Sequence, residues 1–301
     1  MKAAILLSSY NGENYIQTQI ESILAQQCDI PFDLWVRDDG SSDSTCQILQ
    51  HYAEAGQLRW YTGANLKPAK SFLDLVKHCP GYDYYAFADQ DDYWQPEKLS
   101  RGITKLQTAE GPALYFANAR LVDSELGDLG RDVYKCCPYS DYYTLLCQGG
   151  LLGCTMVFNG ALAKLLQNAS MPENLMMHDF YVAAVCALFD GDIHYDSEAV
   201  MLYRQHGNNV VGVSRSKFQA LKSRMLSITR KETVSVALQA HSMLLCYPSV
   251  PDPEKQKWLQ KVAHYRDSFT NALSIALSPK THYCNKNKAI TLRLALLLRN
   301  R

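Results

Sequence analysis

No apolar run in the chain approaches the roughly 18 residues that a membrane-spanning helix needs. The nearest is Leu294-Ala-Leu-Leu-Leu298, flanked by Arg293 and Arg299. A signal peptide is not expected, because Lys2 to Ser8 is too short for an apolar core followed by a cleavage site. A strand explains that stretch better. None of the ten cysteines forms a CxxC pair, which removes the usual zinc spacings. Cys154 and Cys186 sit among apolar residues, where a thiol acts as a small hydrophobe. A reducing cytoplasm is therefore expected rather than a disulfide framework. There is no internal repeat and no low-complexity tract, so a repeat architecture is not expected.

Net charge is also absent, but the zero conceals an asymmetry. Residues 1–214 carry 14 basic and 26 acidic side chains, and residues 215–301 carry 16 basic and 4 acidic. The nets are −12 and +12, which suggests two parts with different partners. An acidic part suits metal binding. A basic part suits an anionic membrane surface, or packing on the acidic body. Nucleic-acid binding is not expected, since no recognised module accompanies the charge.

Ala3-Ala-Ile-Leu-Leu7 is a continuous apolar run, as in a strand buried on both faces. A turn at Asn11-Gly12 follows, then a helix over 13–26 with Tyr15, Ile16, Ile20, Ile23 and Leu24 at helical spacing. Further strands are predicted at 32–36, 58–61 and 84–88. They alternate with helices over 42–52, capped by Ser42 or Asp43, over 69–77, and from Pro96 to Leu106. That alternation predicts an α/β fold with a doubly wound, mainly parallel sheet. Later, strands are predicted at 113–116, 155–158 and 199–203, and a helix at 178–188. From Ser216 the chain reads as basic helices, two of them separated by Pro248, Pro251 and Pro253.

In such sheets ligands bind beyond the carboxyl ends of the strands. Ser9-Tyr-Asn-Gly12, Asp38-Asp-Gly40 and Asp89-Gln-Asp-Asp92 each follow a predicted strand. Three carboxylates within four residues repel one another unless a cation joins them. A divalent metal bridging a diphosphate is one solution; a solvated turn before Pro96 is the other. Asp89 and Asp91 are two apart and face the same way in extended chain. Asp38-Asp39-Gly40 either meets a pyrimidine base or makes a β-turn and cap. Trp94 and Lys98 either shape an acceptor site or pack.

These residues resemble the family 2 glycosyltransferases, which have the GT-A fold. The matching stretches are Leu7–Gly12, Val36–Asp43, Phe87–Trp94 and His178-Asp-Phe180. Tyr203-Arg-Gln-His-Gly-Asn-Asn-Val-Val-Gly212 resembles the bacterial rhamnosyltransferase-like branch. The resemblance covers about residues 2–214, implying a GT-A catalytic domain there and a basic helical region over 215–301.

It implies roles for named residues. Ser9, Tyr10 and Asn11 would line the nucleotide pocket, with Asp38 or Asp39 on the base. Asp89 and Asp91 would be the DxD-type pair, Asp91 nearest a Mn²⁺ or Mg²⁺ ion and Asp89 near the ribose, with Asp92 a further candidate. Asp179 matches the family's catalytic base, though it could instead cap a helix beginning at Phe180. Arg204 and His206 would lie near the diphosphate or metal. Asn65-Leu-Lys67 departs from the family, which often has Gly where Lys67 stands; Lys67 or Lys70 could still meet phosphate. The implied activity is inverting transfer, best L-rhamnose from dTDP-L-rhamnose, to a saccharide or lipid-linked saccharide acceptor in bacterial surface polysaccharide assembly. The alternatives are a UDP-hexose donor, a silent nucleotide-sugar binder and a metal phosphohydrolase. The expected setting is cytoplasmic, with a possible peripheral contact at the inner membrane face.

Overall fold

The computed structural model describes residues 1–206 and 234–280, with residues 290, 293, 294, 296 and 297. Its centre is β1 (Ala3–Ser9), whose apolar stretch is buried throughout. β2 (Phe32–Asp38) and β4 (Tyr84–Asp89) flank it in parallel, and β3 (Arg59–Thr62) extends the sheet beyond β2. The crossovers are α1 (Ile16–Leu24), α2 (Thr45–Glu54) and α3 (Lys67–His78). Neither Ser42 nor Asp43 is the cap of α2: Ser44 holds that position, and Asp43 Oδ1 accepts the Thr45 N–H at 3.0 Å.

β1 shows why both faces needed apolar residues. Ala4 and Leu6 enter one core with Phe72 and Leu75 of α3. Ala3, Ile5 and Leu7 enter the other with Ile16, Ile20 and Ile23 of α1. The period of two sends alternate side chains to opposite layers, and helices cover both.

The second half is less regular. β5 (Tyr93–Trp94), α4 (Lys98–Leu106), β6 (Ala113–Val122), β7 (Asp128–Asp132), α5 (Tyr142–Gln148), β8 (Val157–Asn159), α6 (Gly160–Asn168), α7 (His178–Leu188) and β9 (Asp192–Arg204) follow. The sheet order is β3-β2-β1-β4-β8-β6-β9-β5, with β7 beside β6. β8 is antiparallel to both β4 and β6, while β9 returns parallel to β6. The expected strand at 199–203 is only the end of β9, which begins at Asp192.

Three helices complete the described chain: α8 (Val236–Cys246), α9 (Pro253–Ala263) and α10 (Phe269–Ala276). Ser235 caps α8 and Asp252 caps α9, with Pro253 at its first position. Basic helices expected between Ser216 and residue 233 lie outside the described residues. Among the described residues no helix is long and apolar enough to cross a membrane. Cys79, Cys154 and Cys186 are buried thiols, as their apolar settings imply.

Candidate active site

Parallel register brings the first three motifs to one edge. Ser9 lies opposite Asp38, and Ser8 opposite Asp89. Side chains then fasten the loops. Asn11 sits in the left-handed region at φ 49°. Its Oδ1 accepts the Ser42 N–H at 2.9 Å, and its own N–H donates to Ser41 Oγ at 2.8 Å. Gln90 forms a two-way amide pair with the Tyr10 backbone, accepting at 2.8 Å and donating at 3.1 Å. The Tyr10 ring stays 49% exposed beside this joint. Gln90 was missed by sequence reasoning; its only signal was its place between two aspartates.

Asp38 and Asp39 work inside the frame. Asp38 is fully buried and accepts from Ser9 Oγ at 3.1 Å, Ser41 Oγ at 2.5 Å, the Ser41 N–H at 2.8 Å and the Gly40 N–H at 3.0 Å. Asp39 pairs with Arg37 and takes the Leu66 and Lys67 N–H groups at 2.8 and 2.9 Å. It thereby fixes the loop after β3. Lys67 has φ 66°, so the residue standing where the family often has Gly adopts a glycine-like backbone. Its backbone, held by Asp39, is the part of Lys67 that the structure puts to use. Lys70 is half-buried in the first turn of α3.

In the acidic cluster the carboxylates diverge. Asp91 Oδ2 lies 2.7 Å from His206 Nε2. Asp92 points inward, with Oδ1 accepting the Arg204 N–H at 3.1 Å and Oδ2 left without a hydrogen bond. Burial pushes the Asp89 carboxyl up to about 7, and the negative charges of Asp91 and Asp179 add to the shift. Burial likewise raises Asp92. Such a site favours a cation, which lets the carboxylates ionise. Asp89 and Asp91 offer carboxylate oxygens and His206 an imidazole, donor types that Mn²⁺ or Mg²⁺ accepts, and of these Asp91 and His206 already meet. Cys154 also comes near, its sulfur and the Asp89 and Asp92 oxygens lying within 4.8 Å of one another. Burial raises that thiol well above its ordinary value, and sulfur is a softer donor than the oxygens that Mn²⁺ and Mg²⁺ prefer.

Trp94 and Lys98 are both buried beneath the cluster, the Lys98 ammonium 3.3 Å from the Trp94 ring centroid. They form its floor, which corrects the acceptor-site reading and favours packing. Burial lowers Lys98 to about 7, against the pull of Cys154, Asp92 and Asp89. Arg204 is 4% exposed. Its Nε donates to the Asp91 carbonyl at 2.7 Å and its Nη1 to the Ser124 carbonyl. The guanidinium lies 4.6 Å from the Tyr15 ring, which stacks on His206 at 4.8 Å. Arg204 thus braces the backbone of the cluster. Tyr15, which sequence periodicity assigned to α1, instead precedes the helix and orients His206.

Asp179 arrives from the other half of the chain. α7 begins at His178 with Met177 as its cap, so Asp179 lies within the first turn and does not cap a helix starting at Phe180. Its Oδ1 accepts the Phe180 N–H at 2.7 Å, and Oδ2 accepts the Gly153 N–H at 3.2 Å. Burial pushes its carboxyl up to about 6, the region useful to a general base. Gly153 adjoins Cys154, whose sulfur lies within 4.8 Å of an Asp89 oxygen, so Asp179 and Asp89 border one site, and the charge of Asp179 acts on Asp89. His178 stacks on Phe72 at 3.9 Å, and burial drops it to about 3, so it is a neutral wedge. Of the residues expected at the site, Asp89, Asp91, Asp179, Arg204 and His206 are brought together, with Tyr10 and Asn11 on the adjoining rim.

Known proteins resemble this chain in part of its sequence and in its fold. The glycosyl transferase family 2 model matches residues 4–131. The dTDP-rhamnosyl transferase RfbG of Shigella flexneri is 27% identical over 256 residues, covering 77% of this chain and 83% of that protein. Chondroitin synthase of Escherichia coli is 29% identical over 138 residues, 46% of this chain and 20% of its own length. Among solved structures, S. aureus TarS 1–349 in complex with UDP-GlcNAc superposes with TM-score 0.55 at 21% identity, covering 93% of this chain and 77% of that one. The mannosyltransferase PcManGT of Pyrobaculum calidifontis, in complex with GDP-Man and Mn²⁺, gives TM-score 0.54 at 15% identity, covering 99% and 74%. These likenesses show the GT-A-like fold. With the family motifs arranged around one site, the chain is similar to the family 2 glycosyl transferases over residues 4–131 and, over most of its length, to the rhamnosyl transferase RfbG.

Proposed function

We propose that the chain moves a sugar from a nucleoside diphosphate donor to a saccharide or lipid-linked saccharide acceptor, with inversion. The observation that carries this is Asp179: a carboxyl raised to about 6, held by two backbone N–H groups and sharing a site with Asp89. The acceptor oxygen attacks the anomeric carbon while Asp179 takes its proton. The bond from that carbon to the diphosphate oxygen breaks, and the electron pair leaves with the phosphate. One displacement by one base inverts the centre. Asp89, Asp91 and His206 would hold Mn²⁺ or Mg²⁺, which when bound offsets the charge of the departing diphosphate. Tyr10 and Asn11 lie on the rim where a base would enter, with Ser9, Asp38 and Asp39 shaping that wall. Lys70 is the cation proposed for the phosphates from α3, and Arg204 acts from beneath.

The proposed donor is dTDP-L-rhamnose, supported by the branch resemblance over Tyr203–His206 and by the named activity of the RfbG relative. The rest of that stretch, through Gly212, lies outside the described residues. A UDP-hexose is the second reading, supported by the fold shared with TarS, whose complex holds UDP-GlcNAc. The test combines a thermal-shift panel of nucleotide sugars, with each metal, and the Asp179→Asn variant. A bound donor raises the melting temperature. Asp179→Asn should keep that shift and lose turnover by about 10²–10⁴-fold. If no nucleotide sugar shifts the melting curve with either metal, the reading fails. Unaltered turnover in Asp179→Asn would remove the assigned base, and wild-type binding without transfer to any acceptor would favour a silent binder.

A further inference from the structure

Exposed apolar side chains are unevenly distributed. Of eleven large ones among the described residues, seven fall between Leu238 and Leu294. They are most ordered on α10. That helix buries Ala272, Ile275 and Ala276 against the core. Its other face presents Phe269, Leu273 and, at the C-cap, Leu277, which are 54%, 36% and 64% exposed. Positions four apart stack along one side of a helix, so these three form a ridge. A helix apolar on both sides is normally covered on both.

Lysines border the Leu277 end of the ridge. Leu277 shares a shallow depression with Lys257, Lys261 and Lys280, around the rim of the buried Trp258. Glu254 lies 3.3 Å from Lys257 and 3.7 Å from Lys280, so one carboxylate serves two ammonium groups. The described stretch 234–280 carries five basic and three acidic side chains, and the sequence over 215–301 nets +12.

We propose that the Phe269–Leu273–Leu277 ridge and its three lysines dock on an anionic lipid bilayer. The ridge enters at headgroup depth, and the lysines meet lipid phosphates. Charge complementarity selects this partner. A second copy would bring two sets of lysines face to face, whereas an anionic surface attracts them. The same surface repels the −12 body, which turns the ridge toward the bilayer. No helix among the described residues is long and apolar enough to cross a membrane, and the proposed contact is a peripheral one.

Co-sedimentation of the full chain with vesicles tests this. Vesicles of phosphatidylcholine alone are compared with vesicles containing phosphatidylglycerol, at low and high salt. Binding should favour the anionic vesicles by about tenfold or more and weaken with salt. Phe269→Ser/Leu273→Ser/Leu277→Ser and Lys257→Glu/Lys261→Glu should each cut binding by about tenfold or more. Both should leave the donor-induced shift near wild type, because none of the substituted residues is among those proposed for the donor site, and a melt of each variant checks that it folds. Equal binding to both vesicle types, or unchanged binding by either variant, overturns the proposal. So does a wild-type dimer in light scattering that the triple serine variant converts to monomer, since the ridge is then a self-association face. Vesicle binding needs no donor, so this inference and the transfer reading fail separately.

Discussion

Asp179 and Lys67 both depart from what their residue types ordinarily tolerate. The Asp179 carboxyl lies at about 6 in the fold, against an ordinary 3.8. Between those values the folded state holds a proton that the unfolded chain has lost. Stability therefore falls as pH rises through this window, and the cost persists above about 6. Asp179→Asn, without nucleotide or metal, should accordingly be more stable than wild type at pH 7.5, on the order of 1–2 kcal/mol. The gain should vanish near pH 4, and thermal melts at both values check it. Catalysis has the opposite sign, because a base must be ionised: kcat/KM should climb to a plateau as pH passes about 6. Lys67 is a backbone case. A non-glycine residue at φ 66° carries strain of about 1 kcal/mol. Lys67→Gly should recover part of it and raise the urea midpoint, while leaving the Asp39 contacts to the loop in place. A lowered midpoint would mean that the Lys67 side chain does more than its backbone.

Elements carry residues to the site, and the sequence disclosed them unequally. β1 and β4 were legible because strands buried on both faces must be apolar throughout, as Ala3–Leu7 is. Their loops were legible because polar motifs followed each run. The helix bearing Asp179 was also placed from His178 to Leu188, as observed. β7 was hidden, since Asp128–Asp132 is an exposed polar strand with no apolar period. β5 is only two residues long, too short for any period. Partner choice was illegible too: nothing in Tyr15 announces that it stacks on His206, or in Cys154 that it lies beside Asp89. The approach of α7 to the sheet depends on Gly153. A Cβ there would stand 2.7 Å from His178 Nε2 and 2.9 Å from Asp179 Cβ. Gly153→Ala should push the start of α7 away and lower kcat by about tenfold or more. Nucleotide binding should change little, since the base-side loops are fastened separately through Asn11 and Gln90. A parallel loss of donor affinity and kcat would instead indicate general unfolding.

At the scale of the whole molecule, charge suggests two parts while packing joins them. Val236, Ala240 and Met243 of α8 and Leu259 and Val262 of α9 enter the same core as Tyr142 and Leu145 of α5 and Phe180 and Tyr181 of α7. The turn after Asp179, the proposed base, therefore rests on a layer that the basic region completes. α8 also reaches the approach to that base directly, with Gln239 Oε1 accepting the Met176 N–H and Ser242 Oγ the Asn174 N–H, both at 2.9 Å. Burying each large apolar side chain contributes about 1.5–3 kcal/mol, so exposing several together exceeds the 5–15 kcal/mol margin of a typical domain. A chain ending at residue 233 should then lose cooperative melting, bind a hydrophobic dye and show no donor-induced shift. If the truncated chain melts as a single transition at the wild-type temperature, the basic region is an appendage with its own stability. One shared core predicts the other outcome: in the full chain, calorimetry should show a single transition, and donor binding at the far edge of the sheet should protect backbone amides of α8 from hydrogen exchange.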